Sequence, residues 1–286
     1  MSDFAAPQWL SVPPGRIAYE RAGHGPPIVF LHAGIVDRRV WDREFRAYAD
    51  DATVVRYDRR GFGQSPPATA PYSEVEDLHA LLGQLKLGPA TIVGNSFGGG
   101  IALDYAIVHP EGVRALLLVA GSVSGYDFDV DPDVKPVAEK DNERSAGIPA
   151  AWKAGRRDEA IEGLRRYWAS ATEGPGRALA VRMFRENLEE IFEDRSAKHA
   201  TPIDPPAARR LGEVRVPTVI LYGDRDEPTT GFIARFAARG IPGARYVPVP
   251  GADHLVNLSR PPAFDAALRS LLAGPGAGGR GSPTQK

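Results

Sequence analysis

Six short apolar, β-branched runs punctuate this 286-residue chain: "PIVFLH" (27–32), "TVVRYD" (53–58), "TIVGNS" (91–96), "VRALLLVAG" (113–121), "PTVILYGD" (217–224) and "RYVPVPGADH" (245–254). Unalternated apolar runs suit strands covered on both faces, the condition of a parallel sheet. Helix-favouring stretches fill the early gaps: "VWDREFRAYA", "SEVEDLHALLGQL" and "FGGGIALDYAIV". The second opens on Ser73 and Glu76 in capping-box spacing, and the third stops at His109-Pro110. This alternation predicts a doubly wound, mostly parallel α/β sheet, with ligands bound at the carboxyl ends of its strands. An earlier pair, "QWLSV" and "GRIAYE", is expected to form an antiparallel edge hairpin.

The alternation stops after Gly121. From 122 to 212 come helix-favouring stretches such as "AAWKAGRRDEAIEGLRRYWASA" and "GRALAVRMFRENLEEIF", broken by prolines at 132, 202 and 205. The expected organisation is a core of residues 1–121 and 213–273, a helical cap inserted at 122–212 over the carboxyl edge of the sheet, and a disordered, glycine-rich tail at 274–286. The cap's large side chains, Trp152, Tyr167, Trp168, Met183, Phe184 and Phe192, fall at helical spacings. Most are expected to pack the cap onto the core, with one or two lining a pocket.

Composition narrows the chemistry. With 35 basic and 36 acidic residues the formal net charge is -1, so no global field favours nucleic acid or an anionic membrane; the expected partner is a small molecule. There are no cysteines, which excludes disulfides, thiolate nucleophiles and cysteine-ligated zinc. The first 20 residues have neither a basic n-region nor an apolar h-region, and the apolar runs are too short to span a bilayer. A soluble, cytoplasmic protein is therefore expected.

Gly94-Asn95-Ser96-Phe97-Gly98 fits the G-x-S-x-G nucleophile elbow, between a strand-like and a helix-like run as that motif requires. A sharp turn there would lift the serine hydroxyl out of the sheet and leave the Phe97 N–H free at a helix N-terminus. A serine hydroxyl also needs a base. His254, in the loop after the last strand run, lies on the same predicted edge, whereas His24, His79, His109 and His199 suit structural or solvated roles and His32 suits bracing its own loop. A carboxylate must fix the tautomer of the base. "LYGDRDEPT" offers Asp224, Asp226 and Glu227; the Gly-x-x-Asp spacing from Gly223 favours Asp226, while Asp224 sits where it could cap the turn. Asp127 and Asp129 follow an earlier strand, and Asp253 would have to turn back sharply onto its neighbour. The second oxyanion donor is sought in the loop after "VFLH": Gly34 is the best placed, beside Ala33 and Ile35.

Taken in order and spacing, "VFLHAG", "YDRRGFGQS", "VGNSFGGG", "LYGDRDEPT" and "GADHLVNLSRP" make the chain resemble a capped α/β-hydrolase fold protein over residues 8 to 273. The resemblance implies a Ser96–His254–Asp226 triad, an oxyanion hole from Phe97 and Gly34, no metal or organic cofactor, and a loop-organising role for Asp58, Arg59, Gly61 and Ser65. Dehalogenases and epoxide hydrolases of the fold carry aspartate where Ser96 stands. Proline iminopeptidases typically show Gly-Gly-Ser-Trp-Gly, unlike Asn95 and Phe97. The meta-cleavage C–C hydrolases have elbows similar to "GNSFGG" but a glycine run that "HAGIVDRRVW" lacks; that loop looks more like those of esterases and perhydrolases. The expectation is a serine hydrolase of an ester or lactone with an apolar portion. The alternatives are C–C hydrolysis, or a ligand receptor or biosynthetic enzyme retaining the triad.

Overall fold

The computed structural model describes residues 6–130 and 132–274, so the tail expected at 274–286 falls outside the described residues except for Gly274. Eight strands, β1 (Gln8–Ser11), β2 (Arg16–Ala22), β3 (Pro27–Leu31), β4 (Thr53–Tyr57), β5 (Ala90–Asn95), β6 (Val113–Val119), β7 (Thr218–Gly223) and β8 (Arg245–Val249), form one sheet in the order β1-β2-β4-β3-β5-β6-β7-β8. β1 and β2 make the expected antiparallel edge hairpin, with β2 antiparallel to β4; every pairing from β4 across to β8 is parallel.

Helices cover both faces, which explains the unalternated strand runs. In β3, Val29 and Leu31 join the buried cluster that includes α2 (Glu74–Gln84) and α3 (Phe97–Val108), while Ile28 and Phe30 join the opposite cluster with Trp41 and Phe264. Because successive strand side chains point to opposite faces, a strand buried on both sides must be apolar throughout. β8 departs from that expectation. It is the edge strand, with Arg245 and Pro248 exposed, and it ends at Val249, so "GADH" is loop. The Ser73 capping box is half formed: the Ser73 hydroxyl accepts from the Glu76 N–H at 3.3 Å, but the Glu76 carboxylate reaches across to His109.

Segment 122–212 carries α4 (Lys135–Ser145), α5 (Gly147–Lys153), α6 (Arg157–Trp168), α7 (Gly174–Glu186) and α8 (Leu188–Glu193), with no strand among its described residues. Leu164, Met183, Phe184 and Leu188 pack into the same buried cluster as Trp41 and Phe264. α1 (Asp42–Ala47), α9 (Pro228–Gly240), α10 (Val256–Ser259) and α11 (Pro261–Leu272) complete the helices. None of the described helices is long and apolar enough to cross a membrane.

Candidate active site

Ser96 stands alone between the end of β5 and the start of α3 with φ 54° and ψ -117°, a conformation costly for a residue with a Cβ. The surroundings hold it there: its N–H donates to the Val119 carbonyl at 2.8 Å, and its own carbonyl accepts from the N–H groups of Gly99, Gly100 and Ser122 at 2.9, 3.1 and 3.0 Å. The glycines provide clearance. A Cβ on Gly94 would lie 2.3 Å from the Gly98 carbonyl oxygen, and one on Gly98 would lie 2.6 Å from that of Leu31. Gly99 and Gly100 let α3 approach Gly121 and Ser122. At the start of α3 the N–H of Phe97 has no residue four positions back within the helix to accept it, and the helix dipole makes this end favourable to negative charge.

Gly34 adjoins this turn from the loop after β3: a Cβ there would meet that of Phe97 at 3.8 Å. His32 braces the loop. Its Nε2 accepts the Arg59 N–H at 2.9 Å, so the proton is on Nδ1, which donates to the Ala33 carbonyl at 2.8 Å. Burial, then the charge of Arg59, push its pKa down to about 3, so the brace is a neutral imidazole. The "YDRRGFGQS" loop is tied in as well: Ser65 Oγ donates to the Asp58 carbonyl and accepts from the Ala18 N–H, and Asp58 pairs with Arg38. Gly61, also in this loop, has φ +84°.

On the same edge, His254 Nδ1 lies 2.8 and 3.0 Å from the two carboxylate oxygens of Asp226, with both residues buried. A carboxylate accepts, so Nδ1 carries the proton and Nε2 keeps its lone pair in the neutral ring. Burial opposes the charged imidazolium. The charge and hydrogen bond of Asp226, followed by the charges of Glu227 and Asp253, outweigh it and raise the pKa of His254 above its ordinary value. The loop bearing His254 is fastened to the elbow, since Asn95 Nδ2 donates to the carbonyls of both Val119 and His254, at 3.0 and 3.1 Å. The other acidic candidates go elsewhere. Asp224 accepts the Gly251 N–H at 2.6 Å, a turn cap, and Asp127 accepts the N–H of Asp129 on the exposed segment after β6.

Several contacts here were not legible in the sequence. Asp253, fully buried, does not turn back onto His254; its Oδ2 accepts from the Ala171 N–H and Thr172 Oγ1, both at 2.8 Å, and its Oδ1 from the Leu255 N–H. The Trp168 ring lies 4.3 Å from that of His254, and Tyr167 donates its hydroxyl to Glu227 at 2.6 Å. Arg59 spreads its guanidinium 4.1 Å over the Phe97 ring while its Nε and Nη2 donate to Glu74. Beyond Phe97 opens a cavity of about 440 Å³ whose walls include Val75, Ile101, Val123 and Ile203. Asp104 sits in its lining, its pKa pushed up to about 6 by burial although Ser124 donates to it.

Comparison with known proteins identifies the family. The model of the alpha/beta hydrolase family matches residues 28–267, and the chain belongs to that family. It is 38% identical over 116 residues to the 2-hydroxymuconate semialdehyde hydrolase of Pseudomonas sp. (strain CF600), a match spanning 38% of this chain and only 40% of that relative's length. Over 260 residues, 88% of this chain and 96% of the relative, it is 29% identical to the pimeloyl-[acyl-carrier protein] methyl ester esterase of Chromobacterium violaceum. Among solved structures it is similar to Est816, described as an N-acyl homoserine lactone degrading enzyme, with a TM-score of 0.72, 25% identity, and coverage of 92% of this chain and 99% of the other.

Proposed function

We propose that the protein is a serine hydrolase that cleaves a carboxylic ester or lactone with an apolar acyl or alkyl portion. The observation that carries this reading is the pairing of Asp226 with His254 Nδ1 on the sheet edge that also bears the strained Ser96. In this reading Nε2 of His254 takes the proton of Ser96 Oγ as that oxygen attacks the substrate carbonyl. The N–H groups of Phe97 and Gly34 hold the resulting oxyanion; one such donor contributes ~3 kcal/mol to transition-state binding. The imidazolium returns its proton to the leaving alkoxide, and the acyl group stays on Ser96. Water, deprotonated by His254, then attacks the acyl-enzyme; the bond to Ser96 breaks, His254 returns the proton to Ser96 Oγ, and the acid leaves. Asp226 stabilises the imidazolium in both halves without itself taking the proton. The substrate's apolar portion is assigned to the cavity beside Phe97, against Val75, Ile101, Val123 and Ile203.

Similarity to an esterase over most of the chain and to a lactone-degrading enzyme of like fold supports the ester or lactone assignment. The identity shared with the semialdehyde hydrolase favours a second reading, cleavage of a C–C bond next to a carbonyl, with the same residues. Steady-state turnover of a panel of p-nitrophenyl esters, γ-lactones and a vinylogous diketone tests both. Ester or lactone turnover abolished by Ser96→Ala is expected. Turnover of the diketone alone would move the assignment to the second reading, and ester turnover retained by Ser96→Ala would remove both.

A further inference from the structure

One face of α3 forms a wall of the cavity beyond Phe97, and that wall changes character along its length. Phe97, Ile101 and Asp104 line the cavity at spacings of four and three residues, which places them on a single helical face. At about 1.5 Å of rise per residue, Asp104 lies roughly 12 Å along the helix from Ser96. Ile101 stands between them on that face, and Val75 from α2 with Val123 and Ile203 from segment 122–212 extend the apolar surface. The half-buried Asp104 carboxylate is held at one oxygen only. Its Oδ1 accepts the Ser124 hydroxyl at 2.7 Å, and Ser124 Oγ in turn accepts the Ala207 N–H at 2.9 Å. Ser124 has one proton to give, so Oδ2 is left without a donor among the described residues and stays open to solvent or a ligand. Arg210 acts on Asp104 through its charge, while its own Nη2 lies 2.8 Å from Glu213. Burial, only partly offset by Ser124 and Arg210, raises the Asp104 pKa to about 6. The other carboxylate in the lining, Glu74, is already engaged, its Oε1 accepting the Arg59 guanidinium at 2.7 Å.

We propose that this cavity selects a substrate whose apolar portion ends in an ammonium group, with Asp104 as the specificity-determining residue that receives it. The proposal rests on the serine-hydrolase reading above and adds the far end of the substrate to it. With the carbonyl at Ser96, the apolar portion runs along Ile101 and the ammonium meets Oδ2, while Ser124 keeps Oδ1 in place. A cation suits this position better than a neutral hydroxyl. A half-buried carboxylate without an ion pair gains both a hydrogen bond and charge compensation from it, and a charge-assisted bond is about twice as strong as a neutral one. A carboxylate or phosphate at that end would be repelled. Ser124 and Ala207 both belong to segment 122–212, so the residues that orient Asp104 come from the same segment that supplies Val123 and Ile203 to the cavity. The role was not legible in the sequence, where Asp104 in "FGGGIALDYAIV" is one acid in a largely apolar helix and its Ser124 partner stands 20 residues away.

Initial rates with the p-nitrophenyl esters of octanoic, ω-hydroxyoctanoic and ω-aminooctanoic acid test the proposal, each taken as kcat/KM at neutral pH, where the amine is charged. The wild type is expected to prefer the amino ester to the plain ester by about tenfold or more, with the hydroxy ester between them. Asp104→Asn, whose amide oxygen can still accept from Ser124, is expected to lose that preference, and a melting curve shows whether the variant is folded. Independently of turnover, calorimetric titration of the full wild-type chain with octylammonium chloride is expected to give one site per chain, weakened about tenfold in Asp104→Asn and not matched by octanol. A wild type that turns over the amino ester no faster than the plain or the hydroxy ester, or octylammonium binding unchanged by Asp104→Asn, would overturn the proposal. The two readings fail separately. Plain-ester turnover that Ser96→Ala abolishes, with no preference for the ammonium, removes the ammonium site and leaves the hydrolase. Octylammonium binding that depends on Asp104, without turnover of any ester, removes the hydrolase and leaves the ammonium site.

Discussion

The sheet and the helical segment 122–212 meet at His254, and they are fixed there by different means. Ser96, Asp226 and His254 follow the ends of β5, β7 and β8, strands whose backbone ladders run through the sheet. The helical segment packs on the core through Leu164, Met183 and Phe184 and reaches the site through the Trp168 ring, 4.3 Å from that of His254, and through a few polar links. Ala171 and Thr172 bind Asp253, Tyr167 binds Glu227, and Asn187 joins Asp37 and the Gly63 N–H. Two of these links end on carboxylates whose charges act on His254. In the proposed reaction the framework therefore sets where Ser96, Asp226 and His254 stand, and the helical segment anchors carboxylates whose charges act on His254.

The contrast is broken most severely from the sheet side. Asp226→Asn keeps the size of the side chain but no longer fixes the Nδ1–H tautomer; a fall of roughly 10⁴-fold in kcat is expected, with the melting temperature little changed. Steady-state kinetics beside a thermal melt measures both. A loss of folding in place of a loss of rate would show that the pair is structural.

From the other side, Asp253→Asn leaves Asp226 and His254 intact and weakens acceptance from Ala171 and Thr172. A smaller fall in kcat/KM is expected, about 10-fold, with a rise in hydrogen exchange confined to the segment around Ala171. Equal protection in variant and wild type would separate Asp253 from the anchoring of that segment.

The smallest effect is on pH dependence. In the proposed reaction His254 must be neutral to accept the serine proton, so its raised pKa is expected to place the rising limb of kcat/KM above histidine's ordinary 6.5. Glu227→Gln removes a negative charge that favours the imidazolium, so the limb is expected to move to lower pH while the hydrogen bond from Tyr167 persists. A limb that stays in place would show that Glu227 does not act on the base.

Legibility in the sequence follows the same division. β3 through β7 could be read because burial on both faces forces continuous apolar runs, and the elbow because its clearances admit only glycine at 94 and 98. β8 is less legible, because an edge strand is relieved of that demand and leaves Arg245 and Pro248 exposed. Asp253 stood beside His254 in the sequence, yet its partners lie 81 and 82 residues away. Trp168 was visible only as an aromatic at helical spacing. Helical periodicity says which face of a helix is buried, but not which loop the face meets.

The central claim is that Ser96 becomes acylated with His254 as its base, and intact-mass spectrometry after exposure to an activated ester or a fluorophosphonate tests it most directly. The account predicts one covalent adduct per chain, located on Ser96 by peptide mapping, slowed severely in His254→Ala and absent in Ser96→Ala. An adduct on another residue, or labelling of Ser96 at the same rate in His254→Ala, would contradict it.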